Sequence, residues 1–209
     1  MVENYSSAMN IVNKKLILSI VLIIVLIIGV VIKIVLDARH KNMENRHIEQ
    51  FNLNIELSRS AWQRGDFENT VILAETALSI ANTDDEKSVS HYWKGVGLYK
   101  LGRLEEAEKE EELAIELASD FVGPYVTLGA IYSDKGMVKE AERMARKAIE
   151  IDPQYAWGYN LLGTIHIERG DYEEGIKLLN KAIELDSSQP MFRNNLEATQ
   201  KWLKENNYE

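Results

Sequence analysis

Apolar and polar residues alternate along this chain in two regimes. From Leu16 to Ile32, 17 consecutive residues carry no charge, and continuing to Leu36 gives 21 residues, 18 of them Leu, Ile or Val. Such a run is apolar on every face of a helix and has no polar side to turn to water. At about 1.5 Å per residue it is roughly 26 to 31 Å long, the thickness of a bilayer's hydrocarbon core. The pattern predicts a single transmembrane helix over 16–36, after an N-terminal tail, 1–15. Lys33 is near enough to the end for its ammonium to snorkel to the headgroups. A cleaved secretory signal fits less well, because the run exceeds a signal core and Val35-Leu36-Asp37-Ala38 lacks small residues at both recognition positions. With one span and no polar stripe, the segment reads as an anchor rather than a channel. Lys14, Lys15 and the α-amino group on one side oppose Lys33, Arg39, Lys41 and Arg46 on the other, which leaves the membrane side of the remaining chain open.

Between Gly29 and Gly65 there is neither glycine nor proline. The linker 37–50 is therefore free to stay helical, and the membrane helix is expected to run with little interruption into the first helix of the C-terminal part.

The rest of the chain repeats itself. Gly65, Gly102, Gly136 and Gly170 are spaced 37, 34 and 34 residues apart; twelve positions after them stand Ala77, Ala114, Ala148 and Ala182, and seven before them Ser58, Gly95, Gly129 and Gly163. A fixed period of this length marks a solenoid whose units bury their apolar faces against neighbours. Inside one unit, Tyr125, Leu128, Gly129 and Tyr132 recur at helix spacing, Lys135-Gly136 breaks the helix, and Ala141, Ala145, Ala148 and Ile149 form a second stripe before Asp152-Pro153. Each unit is a predicted helical hairpin, with small residues where two helices cross closely. After Pro190, the residues Phe192, Leu196, Thr199 and Leu203 follow on one face, which predicts a capping helix over 190–206.

These residues resemble the tetratricopeptide repeat (TPR) family of 34-residue helix-turn-helix units. Tyr125, Leu128-Gly129, Tyr132, Gly136, Ala141, Ala148 and Pro153 occupy its signature slots in the third unit, as do Tyr159, Leu162-Gly163, Gly170, Tyr172 and Ala182 in the fourth. The fourth unit departs at His166, in a usual tyrosine slot, and at Gly175, in a usual alanine slot. The second keeps Gly95, Gly102, Ala107 and Ala114 but has Lys94 and Glu111 where apolar residues are usual; the first keeps Leu57, Gly65, Phe67 and Ala77. The units are 51–84, 88–121, 122–155 and 156–189, with Asp85-Glu86-Lys87 as an insert. The resemblance implies an all-α fold: a right-handed TPR solenoid of helical hairpins with a C-terminal capping helix, preceded here by the transmembrane helix.

Charge and chemistry narrow the function classes. Residues 1–50 carry 6 basic and 4 acidic groups (+2), and residues 51–209 carry 18 and 29 (−11). An acidic domain of this kind offers no nucleic-acid footprint. With no cysteine in the chain there is no disulfide, thiolate site or lipidated cysteine. No HExxH, phosphate loop, nucleophile elbow or dinucleotide fingerprint occurs, and Gly95-Val-Gly97 lies inside a helix where its glycines serve close packing. His40 and His47 share a face of the linker without a carboxylate pair to complete a metal site, while His91 and His166 occupy framework slots and read as packing residues. Neither a cofactor nor a catalytic residue is expected. The run Glu105–Glu112, with six Glu and one Lys, reads as a solvated outer face or as a field that steers a basic partner, and it weakens the packing of the second unit.

The resemblance implies that first helices line a concave groove that takes a peptide or helix from a protein partner. Slot by slot, the groove positions are Arg59 and Trp62; Tyr92, Val96 and Tyr99; Val126, Ala130 and Ser133; and Trp157, Asn160, Thr164 and Ile167. Exposed aromatic residues at these slots suit apolar side chains of a peptide. The clamp that TPR domains use for the C-terminal carboxylates of chaperones is absent, because its slots hold Ile55, Arg59, Trp93, Gly123 and Thr127. The sequence thus reads as a single-pass membrane scaffold for protein–protein interaction, or, alternatively, as a self-assembling homo-oligomeric platform on the membrane.

Overall fold

The computed structural model describes the backbone of residues 2–208 and the side chains of residue 22 and residues 25–208. Nine helices and no strand occur among the described residues: α1 (Val2–Gln63), α2 (Phe67–Ile80), α3 (Asp84–Lys100), α4 (Leu104–Leu117), α5 (Val122–Asp134), α6 (Val138–Ile151), α7 (Ala156–Glu168), α8 (Tyr172–Leu185) and α9 (Pro190–Glu205). The chain divides into two compact units, Met1–Glu49 and Gln50–Glu209.

The first unit is helix throughout its described residues. Every described residue from Val25 to Leu36 is exposed, and the large apolar side chains among them remain 45 to 66% accessible. Among the described residues no helix is long and apolar enough to cross a membrane. The predicted span 16–36 falls partly outside that description, since the side chains of residues 16–21, 23 and 24 do not belong to it.

In the second unit the period of the sequence becomes a period of structure. Gly65, Gly102, Gly136 and Gly170 all adopt positive φ, between 73° and 85°. A left-handed residue just past a helix turns the chain back at no Cβ cost, and the next amide then reaches a carbonyl one turn inside the helix. The four bonds are Asp66 N–H to Ala61, Arg103 to Leu98, Met137 to Tyr132 and Asp171 to His166, at 2.8 to 3.0 Å. Close crossings accompany the turns: Ala77, Ala114, Ala148 and Ala182 are fully buried, and a Cβ on Gly129 or Gly163 would meet Leu161 or Leu179. One hairpin thus stacks on another, and alternate helices also touch, α3 with α5, α5 with α7 and α7 with α9. Those odd-numbered helices form a continuous inner layer. Phe192 of α9, fully buried against Ala156 and Ala182, closes the last hairpin as a cap.

In the second hairpin the insert Asp85-Glu86-Lys87 forms an added first turn of α3, which has 17 residues against 13 in α5 and α7. A capping box holds that turn: Thr83 accepts from the Glu86 amide and Glu86 accepts back from the Thr83 amide. One expectation needs correction here: the Glu105–Glu112 run is not a uniformly solvated face. Glu105, Glu106 and Glu112 are exposed, but Glu110 is mostly covered, accepting from Lys94 at 3.0 Å and lying 2.6 Å from His91 Nδ1, and Glu111 is fully buried. Lys94, in its apolar slot, also bridges to Glu75 at 3.1 Å. Burial opposes its charge, yet hydrogen bonds to Glu110 and Glu75 outweigh that and hold the ammonium above its usual pKa. Cation and carboxylates thus substitute for an apolar contact across α2, α3 and α4.

Candidate interaction groove

The inner layer encloses one elongated cavity of about 500 Å³. Trp62 comes from the last turn of α1, Tyr92, Val96 and Tyr99 from one face of α3, Val126 and Ala130 from α5, and Trp157, Asn160 and Thr164 from α7. These residues recur at three- and four-residue spacings, so helical geometry alone brings them to one side. Arg59 joins them, its guanidinium 5.7 Å from the Trp93 ring centroid and 3.1 Å from Glu56.

Aromatic rings are packed rather than free. Trp93 meets Trp62 edge-on at 6.4 Å and Tyr92 at 5.3 Å, Tyr92 meets Phe121 at 5.0 Å, and Trp157 meets Phe192 at 4.9 Å. Each contact fixes a ring, so little conformational entropy remains to be lost when a ligand lands on it. Burial first, and then the neighbouring Tyr155 and Glu111, push the Tyr92 phenol well above its ordinary value. Burial and a hydrogen bond to Asp134 do the same for Tyr99. Both phenols therefore stay protonated in neutral solution and carry no negative charge.

Of the expected groove positions, Ile167 and Ser133 lie elsewhere. Ile167 fills the space that Gly175 leaves inside the α7/α8 hairpin, where a Cβ would collide with its side chain. Ser133 donates to Glu168 at 3.0 Å. The cavity also takes in residues that slot-by-slot reading left out: Gln63, Trp93, Lys100, Gly123, Thr127, Tyr155, Leu161, Gln189, Met191 and Asn195. Three of these were within reach, since Gln189, Met191 and Asn195 stand one period of 34 after Tyr155, Trp157 and Leu161. The capping helix thus begins as a fifth first helix. Its Asn195 donates to the Asn160 side-chain oxygen at 2.9 Å.

A larger depression of about 760 Å³ crosses α4, α5 and α6. Two charge pairs lie in it, Arg146 with Glu142 at 2.7 Å and Lys147 with Glu150 at 2.9 Å, and its aromatic lining is Tyr125 and Tyr132 alone, against six aromatic residues in the inner cavity. Among the described residues no group of three or more His, Asp or Glu is arranged to hold a metal ion. His166 Nδ1 lies 3.4 Å from Asp171 without forming a hydrogen bond, at the outer end of its hairpin.

Helical hairpins at a 34-residue period, an inner layer of first helices and a capping helix define a TPR-like solenoid. A tetratricopeptide repeat family model matches residues 132–196. Among solved structures, a thermophilic TPR protein of Thermus thermophilus is similar at a TM-score of 0.66 and 19% identity, over 73% of this chain and 82% of that one. MamA from Desulfovibrio magneticus RS-1 is similar at 0.52 and 18%, over 75% and 92%. YrrB, described as a TPR protein with an unusual peptide-binding site, is similar at 0.51 and 22%, over 68% and 71%. No curated protein matches the chain. At these identities the likeness is one of fold.

Proposed function

We propose that this chain is a non-enzymatic scaffold, anchored in a membrane by the helix over 16–36, whose inner groove grips a segment of a protein partner. The observation that carries the reading is the single cavity shared by α1, α3, α5, α7 and α9, with six aromatic residues in its lining. Large preset rings in a concave surface supply most binding energy at interfaces. YrrB, of the same fold, is described by a peptide-binding site, and this agrees with such a role. Support for the anchor comes from the exposed stretch Val25–Leu36. Apolar surface on every side of a helix costs about 25 cal/mol per Å² in water, and lipid removes that cost.

Crosslinking in native membranes tests both parts. A photoreactive residue at Val126 or Thr164, inside the groove, is expected to capture a protein partner, and one at the exposed Ile72 of α2 is not. Val126→Glu should weaken capture by tenfold or more, the loss of about 1.4 kcal/mol or greater. Equal capture from Ile72 and Val126 would remove the groove from the account. Release of the chain from membranes by alkaline carbonate would remove the anchor.

A further inference from the structure

The groove's lining is opposite in charge to the solenoid carrying it. Residues 51–209 have a net charge of −11, yet the cavity lining holds two cations, Arg59 and Lys100, and no Asp or Glu; outside the lining Arg59 pairs with Glu56 at 3.1 Å, an exposed pair of small strength that a ligand carboxylate can replace. Both cations belong to one end, contributed by α1 and α3. The α7/α9 end is neutral and carries Asn160 and Asn195 instead. From this polarity, and resting on the reading of the groove as a peptide site, we infer that the occupant is an extended segment of a protein partner bearing an acidic side chain beside apolar ones, its carboxylate at the Arg59–Lys100 end.

Three physical points lead there. First, the outer charge is screened within about 8 Å at physiological ionic strength, so an acidic side chain inside the groove responds to the two nearby cations more than to the −11. Arg59 and Lys100 lie over the Trp93 and Tyr99 rings, at 5.7 and 5.1 Å from the centroids. That placement orients them beside the apolar surface on which neighbouring side chains would rest. Second, an extended segment differs from a helix in needing partners for its backbone groups. The Asn195–Asn160 bond uses the Asn195 amide nitrogen and the Asn160 oxygen. It leaves an NH₂ group on Asn160 and a carbonyl on Asn195, one donor and one acceptor, which is what a residue in an added strand requires. Third, a cavity of about 500 Å³ has the volume of roughly one turn of a helix 10 to 12 Å across, so it encloses a few residues and not the length of a docked helix.

The test is a selection from a random peptide display library on the full chain in detergent, repeated with the double variant Arg59→Gln, Lys100→Gln. Both side chains are exposed, so the variant is expected to fold as the parent does. Peptides selected by the parent should be enriched in Asp or Glu next to aromatic or aliphatic residues. With the double variant the acidic enrichment disappears and the apolar preference stays. For one selected peptide, changing its Glu to Gln should weaken binding about tenfold at 0.15 M salt, and less as salt rises. Selected peptides without acidic enrichment, or enrichment unaltered in the double variant, would overturn the inference while leaving the groove reading intact. Selection that proceeds unchanged on Val126→Glu, or no selection by the parent, overturns the groove reading with it. Self-association of the full chain that the double variant abolishes would give the cationic end to a second copy, and would overturn the choice of a separate partner.

Discussion

Phe192→Ala is expected to undock α9 and to cost about 3–5 kcal/mol, the range for truncating a large buried aromatic residue. The ring has no solvent exposure and stands edge-on to Trp157 at 4.9 Å. Little else could compensate, because the remaining stripe is only partly effective: Thr199 is buried, but Leu196 and Leu203 are only partly buried. In a solenoid each repeat contacts only its neighbouring repeats, so the damage should begin at α9 and pass to the α7/α8 hairpin. Native-state hydrogen exchange is the direct readout. Amides of α9 should lose protection first, those of α7 and α8 next, and those of α3 last. Because Met191 and Asn195 belong to the cavity, capture of a partner through Val126 should fall as well. Gln200→Ala, which changes an exposed side chain on the same helix, is expected to leave α7 and α8 protection unchanged. A uniform loss of protection across all hairpins in Phe192→Ala would contradict the nearest-neighbour picture.

How much of this was legible beforehand depends on whether a residue obeys the period or departs from it. The turn glycines, the buried alanines and the small crossing residues are dictated by backbone geometry that recurs every 34 positions, so their places follow from spacing. Nine of the ten principal groove positions share one cavity for the same reason, and the tenth, Ile167, does not because of its neighbour. Gly175 removes a methyl from the hairpin interior and Ile167 occupies the vacancy, a pairwise effect that no slot expresses. Lys94 similarly cannot be understood alone. Its ammonium is tolerated only because Glu75 on α2 and Glu110 on α4 converge on it, and that convergence is tertiary. The contribution of α9 to the groove was legible but unread: the capping stripe drew attention to burial, while the residues one step round the helix continue the period of the groove.

The largest gain in stability is expected from Glu111→Leu. Glu111 is fully buried between α4 and α3, and neither carboxyl oxygen has a hydrogen-bond partner. It fills the hollow over Gly95, where a Cβ would collide with its side chain. The repeat offers an internal comparison: in the fourth hairpin the equivalent position is Leu179, also fully buried, packed on Gly163. Leucine at 111 therefore suits the same hollow and brings no polar group. Burial, and after it the adjacent Glu110, raise the Glu111 pKa well above its usual value. The sign follows from proton binding. Between the unfolded and folded pKa values the native state holds the proton and the unfolded state does not, so stability falls as pH rises through that window. At neutral pH the parent thus loses stability to Glu111, and the leucine variant should gain about 1–3 kcal/mol, the cost of burying an unbonded polar group. Near pH 4 both states of the parent hold the proton and the gain should shrink. Glu110, whose pKa is lowered despite burial by its bonds to His91 and Lys94, titrates in the opposite sense, but it is present in both proteins and largely cancels in their difference. Urea unfolding of parent and variant from pH 4 to pH 8 measures that difference. A gap that widens on acidification, or a leucine variant less stable at pH 7, would show that the native state stabilises the ionised Glu111 carboxylate, and would overturn this account.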